Sequence, residues 1–515
     1  MDRGVFLRRS FLRHTLLLTA VHLAIRTSAL LFHIYLSRRI GAAGMGRLQL
    51  VLTASGFALT LGVSGSRAAC MNLTAAQRGL GRPSAMKQAI VSSLSYCALF
   101  SVFAGMLLFI GAETLAAGWI RDADAAPVLR LTGLCVPLHC TVAVLYGCFT
   151  ARGRIRPLVI TELTEQAVDI FITLAALQLW AGADFSRIGL AVIGGSAAGA
   201  MCSLCILGAQ LLRDLHPIPN DGSRMLRPLL RLTVPLALSD YLRSGLDTAE
   251  QFLIPYGLRR AGGSYERSMA DYGTICGMVF PVLMFPSVLF ISLSDLLLPE
   301  LSGSKARGEQ QRIQRVAVSC LQCGFVFSAV IAGLLFLLGP QLGELLFHSK
   351  SAGAYLRAFS PLVLFLYTDR LVDGMLKGLG EQVACVRYNT ITSFLDVVLL
   401  LVLLPRLGVT GFFITFTLTH LLNLGLSLQR LCRSARIVPD LSHALRTVTA
   451  VAAATTFCLL LPQNGAGTLV IAAALYCAFS LCLCFITDAL SPELLRQFIP
   501  KKKTAGEFSR RKALI

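Results

Sequence analysis

Three arginines lie inside apolar runs, where charge is costly: Arg26, Arg243 and Arg370. An arginine at the centre of a membrane helix costs about 2.5–3.5 kcal/mol on insertion scales, so such groups face a wet cavity or a partner. A guanidinium stays charged and presents a planar fork of donors, which suits the oxygens of a pyrophosphate. These three are the candidate substrate-binding residues. Carboxylates accompany two of them. Asp240 and Asp247 stand three residues before and four after Arg243, on one helical face with Glu250. Asp369 and Asp373 flank Arg370. These five acids read first as charge balance for the arginines, and second as a site for a coupling proton or sodium ion.

Other constellations carry less. Glu162 and Glu165 share a face and suggest general acid–base chemistry, but a single pair beside Arg152, Arg154 and Arg156 reads better as charge balance. Cys202/Cys205 and Cys320/Cys323 are CxxC pairs inside apolar runs, with no neighbouring His or carboxylate, and read as packing. His22, His33 and His139 read as hydrogen-bonded packing groups. Asp295 and the pair Asp169 and Asp396 read as gate or structural groups. No GxxxxGK[ST], HExxH or GxSxG stretch occurs, so neither ATP hydrolysis nor a familiar hydrolase is expected. No catalytic residue, metal ligand or bound cofactor is assigned, and the chain is not read as an enzyme.

Such residues need apolar elements to position them, and composition supplies these. Of 515 residues, 55% are hydrophobic and 14% charged, with mean hydropathy +0.69. Apolar runs long enough to span a bilayer recur from end to end, and none alternates as barrel strands do. The fold class is all-α and polytopic, with about fourteen transmembrane helices, expected at 11–37, 46–66, 88–111, 127–149, 157–180, 186–212, 227–256, 270–298, 314–338, 354–376, 384–404, 408–430, 441–461 and 466–488. Thirty-two basic residues fall in one alternating set of loops and twelve in the other, with Arg67 counted in the richer set. The positive-inside rule then puts both termini in the cytoplasm of a cell-membrane protein. The net charge of +20 is spread over these loops, which fits anionic leaflets and argues against nucleic acid.

The chain also repeats. A shift of 227 aligns Gly147–Gly153 with Gly374–Gly380 and pairs Asp169 with Asp396, and a shift of 218 aligns Leu12–Thr15 with Leu230–Thr233. Arg26 and Arg243 fall at nearly equivalent places in spans 1 and 7. The expected organisation is two pseudo-symmetric six-helix lobes, 1–212 and 213–430, then two helices in 431–490 and a basic cytoplasmic tail in 491–515. Transporters built from parallel repeats bind substrate between the halves. Gly195/Gly199, Gly273/Gly277 and Gly374/Gly378 have the GxxxG spacing of close helix packing, and Pro137, Pro235, Pro281 and Pro286 should bend spans.

Several stretches resemble the polysaccharide-flippase branch of the multidrug/oligosaccharidyl-lipid/polysaccharide exporter superfamily. They are Leu36–Gly46, Ala151–Pro157 followed by Glu165-Gln166, and Tyr272-Gly273 through Phe280-Pro281 and Phe285-Pro286 to Leu298–Ser302. The sequence departs from that pattern at Gly62-Val63-Ser64, where Gly-Ile-Pro is frequent, and at Asp169, where a basic residue is frequent. The resemblance implies two lobes in a V around a central cavity, alternating access, and a polyprenyl-pyrophosphate-linked oligosaccharide or peptidoglycan precursor as cargo, in cell-envelope synthesis or sporulation. The partners expected are that lipid-linked glycan and membrane lipids, for a monomer. The alternative is a cation-coupled multidrug exporter on the same scaffold, which would favour an acidic, aromatic-rich cavity.

Overall fold

The computed structural model describes residues 3–180, 184–219, 225–460 and 466–490. The basic tail expected from residue 491 lies outside them, as do the side chains of His22 and Asp295. Among the described residues every regular element is helical, and fourteen rods follow one another. Arg3–Val63 supplies two of them, because the backbone turns at Gly41 (φ 69°). The second rod then continues as Ser66–Gly79. The others are Pro83–Thr114 with the π turn Leu115–Ile120, Ala125–Ala151, Ile155–Leu179, Phe185–Leu215, Leu226–Arg260, Tyr265–Ala306, Gln310–Phe347, Lys350–Phe359 with Leu362–Gly378, Gln382–Leu407, Val409–Ala435, Leu441–Leu459 and Ala466–Ile486. The chain is a multi-pass membrane protein.

Nine stretches among the described residues are long and apolar enough to cross a bilayer by length and composition. Leu226–Arg260 is not among them, although 35 residues rise about 52 Å. It carries Asp240, Arg243, Asp247 and Glu250, and a helix with so polar a face must turn it away from lipid.

Two compact units divide the chain. One holds the chain through Val288 together with 346–352 and 389–419; the other holds 289–345, 353–388 and the chain from His420. In the first, the loops that the charge alternation assigns to one side do meet. Arg78 Nη1 donates to the Arg152 carbonyl, Arg152 and Arg154 reach Asp214 at 2.8 and 2.5 Å, and Lys87 Nζ donates to the Ile218 carbonyl at 2.7 Å. At the opposite helix ends Arg47 pairs with Asp122 at 2.7 Å, and Tyr265 donates to the Ile120 carbonyl at 2.8 Å. The second unit repeats the pattern. Lys305 Nζ donates to the Leu379 carbonyl at 2.6 Å, Gln310 donates to the Ala435 carbonyl at 2.7 Å, and Arg430 clamps Glu381.

Small residues set the closest approaches. A Cβ at Gly46 would strike the Met269 carbonyl, and one at Gly273 the Ala42 carbonyl. A Cβ at Gly199 would come 2.7 Å from the Glu165 carbonyl. The GxxxG stretches are therefore packing surfaces, as their spacing suggests. Pro281 and Pro286 sit where Tyr265–Ala306 passes through a π turn (Gly273–Val279) and a 3-10 turn (Phe285–Ser287), in line with their missing N–H groups. In the second unit, Leu441–Leu459 and Ala466–Ile486 pack on Gln310–Phe347 through Val326, Leu337, Ala450, Ala454 and Tyr476, with the Tyr476 hydroxyl donating to the Val330 carbonyl at 3.1 Å.

Candidate functional site

The second rod breaks inside the bundle. Ser64 (φ 46°) and Gly65 (φ 71°) both adopt left-handed backbone, so the helix ends at Val63 and restarts at Ser66. The cause is local: in Gly62-Val63-Ser64-Gly65-Ser66 two glycines weaken the helix and two serines compete for its backbone. A break at this depth frees carbonyls that hydrocarbon cannot satisfy, so neighbouring helices must. Tyr241 Oη donates to the Leu61 carbonyl at 3.2 Å and to Ser64 Oγ at 2.6 Å, and Ser64 Oγ also meets Tyr96 Oη at 3.0 Å. The Cys97 thiol donates weakly to Gly62 and the Cys140 thiol to Leu59, while Ser66 Oγ donates to Val63. Gly65 touches Leu226–Arg260: a Cβ there would lie 2.9 Å from the Thr233 carbonyl and 3.1 Å from the Ala237 nitrogen.

Beside the break lies a cavity of about 450 Å³. Leu59, Thr60, Val63 and Arg67 line one side, Asp240, Arg243, Ser244 and Asp247 another, and Ala143 a third. Sequence reading placed Arg67 in a loop beyond a span ending at 66. In the structure Ser66–Gly79 is helical, so Arg67 sits on the first turn after the break, twelve residues short of Gly79. The available signal was the run Gly62–Ser66, a helix breaker next to a basic residue.

Asp240, Arg243 and Asp247 share one face, as their spacing requires, and all three face this cavity. The Arg243 Nε lies 4.0 Å from Asp247 Oδ2, with side chains 62% and 55% exposed, so the guanidinium keeps donors free for a ligand. The cavity therefore holds two guanidiniums and two carboxylates. Glu250, a further turn along, lies within electrostatic range of Asp247 and of Asp396. Asp396 is buried and accepts a hydrogen bond from Thr419 Oγ1 at 2.6 Å.

The remaining candidates are elsewhere. Arg26 is exposed, has no ion pair among the described residues, and does not line the cavity. Arg370 is in the second unit, exposed on Leu362–Gly378. On the same helix Asp369 Oδ2 accepts from Asn423 Nδ2 at 2.9 Å, while its buried Oδ1 has no hydrogen-bond partner among the described residues. Asp373 is half-buried near Cys385. Glu165 does not balance the Arg152–Arg156 loop: it accepts from Ser203 at 2.5 Å and Tyr146 at 3.3 Å, and Asp214 takes Arg152 and Arg154 instead. In the first unit Asp169 accepts from Thr173 at 3.3 Å.

Comparison with known proteins agrees with this architecture. Stage V sporulation protein B of Bacillus subtilis (strain 168) is 22% identical over 417 residues, 78% of this chain and 80% of that one. The uncharacterized membrane protein YabM of the same organism is 25% identical over 402 residues, covering 73% and 75%. Among solved structures, the lipid II flippase MurJ in an inward closed conformation matches with TM-score 0.71 at 12% identity, over 92% of this chain and 98% of that one. An inward-facing MATE family transporter of the MOP superfamily matches with TM-score 0.63 at 15% identity, over 82% and 100%. The fold is that of these membrane transporters, as the resemblance of its motifs implied. Residues 11–302, more than half of the sequence, match the family described as polysaccharide biosynthesis protein, and the chain belongs to that family.

Proposed function

We propose that this protein is a flippase that moves a polyprenyl-pyrophosphate-linked oligosaccharide or peptidoglycan precursor across the cell membrane by alternating access. The observation that carries this reading is the pairing of Arg67 and Arg243 in one cavity beside a broken helix. Both guanidiniums, set beside Asp240 and Asp247, can hold a pyrophosphate oxygen with charge-assisted bonds. The polyprenyl tail stays in lipid. Both termini lie in the cytoplasm, where the basic loops are attracted to anionic lipid. An inside-negative potential then favours outward movement by about 2.3 kcal/mol per charge per 100 mV. The two six-helix halves of the repeat rock against one another in this scheme, with Arg26 and Arg370 meeting the cargo in other states of the cycle. This reading assigns the step to envelope or spore-envelope synthesis, supported by a relative named for sporulation and a family named for polysaccharide biosynthesis.

Coupling follows from the loose Arg243–Asp247 pair. A pyrophosphate that takes Arg243 releases Asp247 beside Glu250 and Asp396. In this scheme the released Asp247 takes a proton or a sodium ion, which ties cargo binding to cation binding; Asp240, Asp369 and Asp373 balance charge. The rival reading, a cation-coupled drug exporter, fits less well because no aromatic side chain among the described residues lines the cavity. The test is reconstitution in liposomes with fluorescent polyprenyl-pyrophosphate glycans and an imposed potential. Arg243→Ala should reach the membrane in normal amounts and lose flipping; transport at the wild-type rate by that variant would remove the assignment.

A further inference from the structure

A second basic pocket, of about 340 Å³, lies at the end of the first unit where the 80–82 and 152–154 connections meet. Arg78, Arg82, Arg152 and Arg154 line it with Gly81, Pro83 and Met86, and it shares no residue with the Arg67–Arg243 cavity. Four guanidiniums stand against one carboxylate, Asp214, which Arg152 and Arg154 share. Arg152 is the telling member. Its side chain is only 10% exposed, and its buried Nη1 has no acceptor among the described residues. A buried guanidinium nitrogen without an acceptor costs free energy that an incoming anion recovers. The 32-residue helix Pro83–Thr114 begins at this pocket with a proline at its first position and no side-chain cap, so the Ser84 and Ala85 N–H groups have no acceptor within the helix.

The shoulders of the pocket indicate the ligand. Leu80, 62% exposed, projects from the same turn as Arg78 and Arg82, and Met86 lines the wall. We propose that this pocket binds the phosphate of an anionic phospholipid headgroup, with the acyl chains running along the adjoining apolar surface. A nucleotide or free phosphate would leave Leu80 in water for no return. Bound there, the lipid bridges the two connections and holds three helix ends together.

Arg82 makes the test clean, because its side chain has no hydrogen bond or ion pair among the described residues, so Arg82→Gln breaks nothing inside the protein. The full chain, purified in detergent and delipidated, would be titrated with phosphatidylglycerol, phosphatidylcholine and inorganic pyrophosphate, and bound ligand read by native mass spectrometry. We expect phosphatidylglycerol to bind at one equivalent in preference to phosphatidylcholine. Arg82→Gln should weaken it about fivefold, and Arg78→Gln with Arg154→Gln should weaken it further, whereas Arg243→Ala should leave it unchanged. Equal retention of the two lipids, full binding by folded Arg82→Gln, or binding of pyrophosphate alone would each overturn the proposal. Should the double variant fail to fold, the single variant still decides.

Discussion

Tyr241 Oη donates to Ser64 Oγ at 2.6 Å, which ties the helix bearing Arg243 to the break that positions Arg67. The same hydroxyl donates to the Leu61 carbonyl. One side chain thus satisfies the broken backbone and fixes the distance between the two arginine-bearing segments. Tyr241→Phe keeps the ring, strands the Leu61 carbonyl and leaves Ser64 Oγ with Tyr96 Oη as its partner. The loss should be about 1–3 kcal/mol, seen as a lower melting midpoint in detergent, and flipping should fall more than cargo binding. An unchanged midpoint would mean that water replaces the hydroxyl.

Gly65 is the other half of that junction. Its left-handed backbone disfavours any Cβ, and the Thr233 carbonyl and Ala237 nitrogen occupy the space where one would go. Gly65→Ala should cost about 1–3 kcal/mol from overpacking, with strain in addition. Gly56→Ala makes the control, since nothing lies within 4 Å of its Cβ position. The two variants should separate clearly by fluorescence-detected gel filtration after heating, and equal melting would place the tolerance of the break elsewhere.

The spans and loop sides were legible because hydropathy and charge are summed over twenty residues, and no single error shifts the sum. The meetings of Lys305 with Leu379 and of Arg78 with Arg152 follow from that alternation. The site was legible only in part. Asp240, Arg243 and Asp247 share a face by helical spacing alone, so they lead to the cavity. Arg67 was misplaced because a window average ends the span at the first arginine and cannot register a helix that breaks and restarts. Arg26 looks equivalent to Arg243 in the repeat, yet spacing says nothing of which helix faces which, and it is absent from this cavity.

Arg67 therefore offers a test that its loop assignment would not have suggested. If it grips the cargo with Arg243, Arg67→Ala should lower flipping by about tenfold or more, the scale of one charge-assisted bond. Arg67→Lys should restore little, because an ammonium cannot reproduce the planar fork. Doubling Arg67→Ala with Arg243→Ala should cost less than the two losses combined, since both act on one ligand. Strict additivity in the flux assay would place them at separate sites.

Outside the spans, the Glu381–Arg430 clamp makes a pH prediction. Arg430 donates to Glu381 Oε2 from Nε at 3.0 Å and Nη2 at 2.7 Å, and Ser434 donates to Oε1 at 2.9 Å. These bonds, Arg430's foremost, hold the carboxyl below its ordinary value of 4.5. A carboxyl depressed in the folded state binds fewer protons there than when unfolded. Its contribution is thus complete above about pH 4.5 and is lost as pH falls through the lower folded value. Both side chains are partly exposed, so solvent screens the pair and its contribution is small. Glu381→Gln should melt slightly below the wild type at pH 7, and the gap should close as pH is lowered from 5 to 3. A gap that stayed constant across that range would show that the carboxylate charge adds nothing to the junction between Leu362–Gly378 and Val409–Ala435.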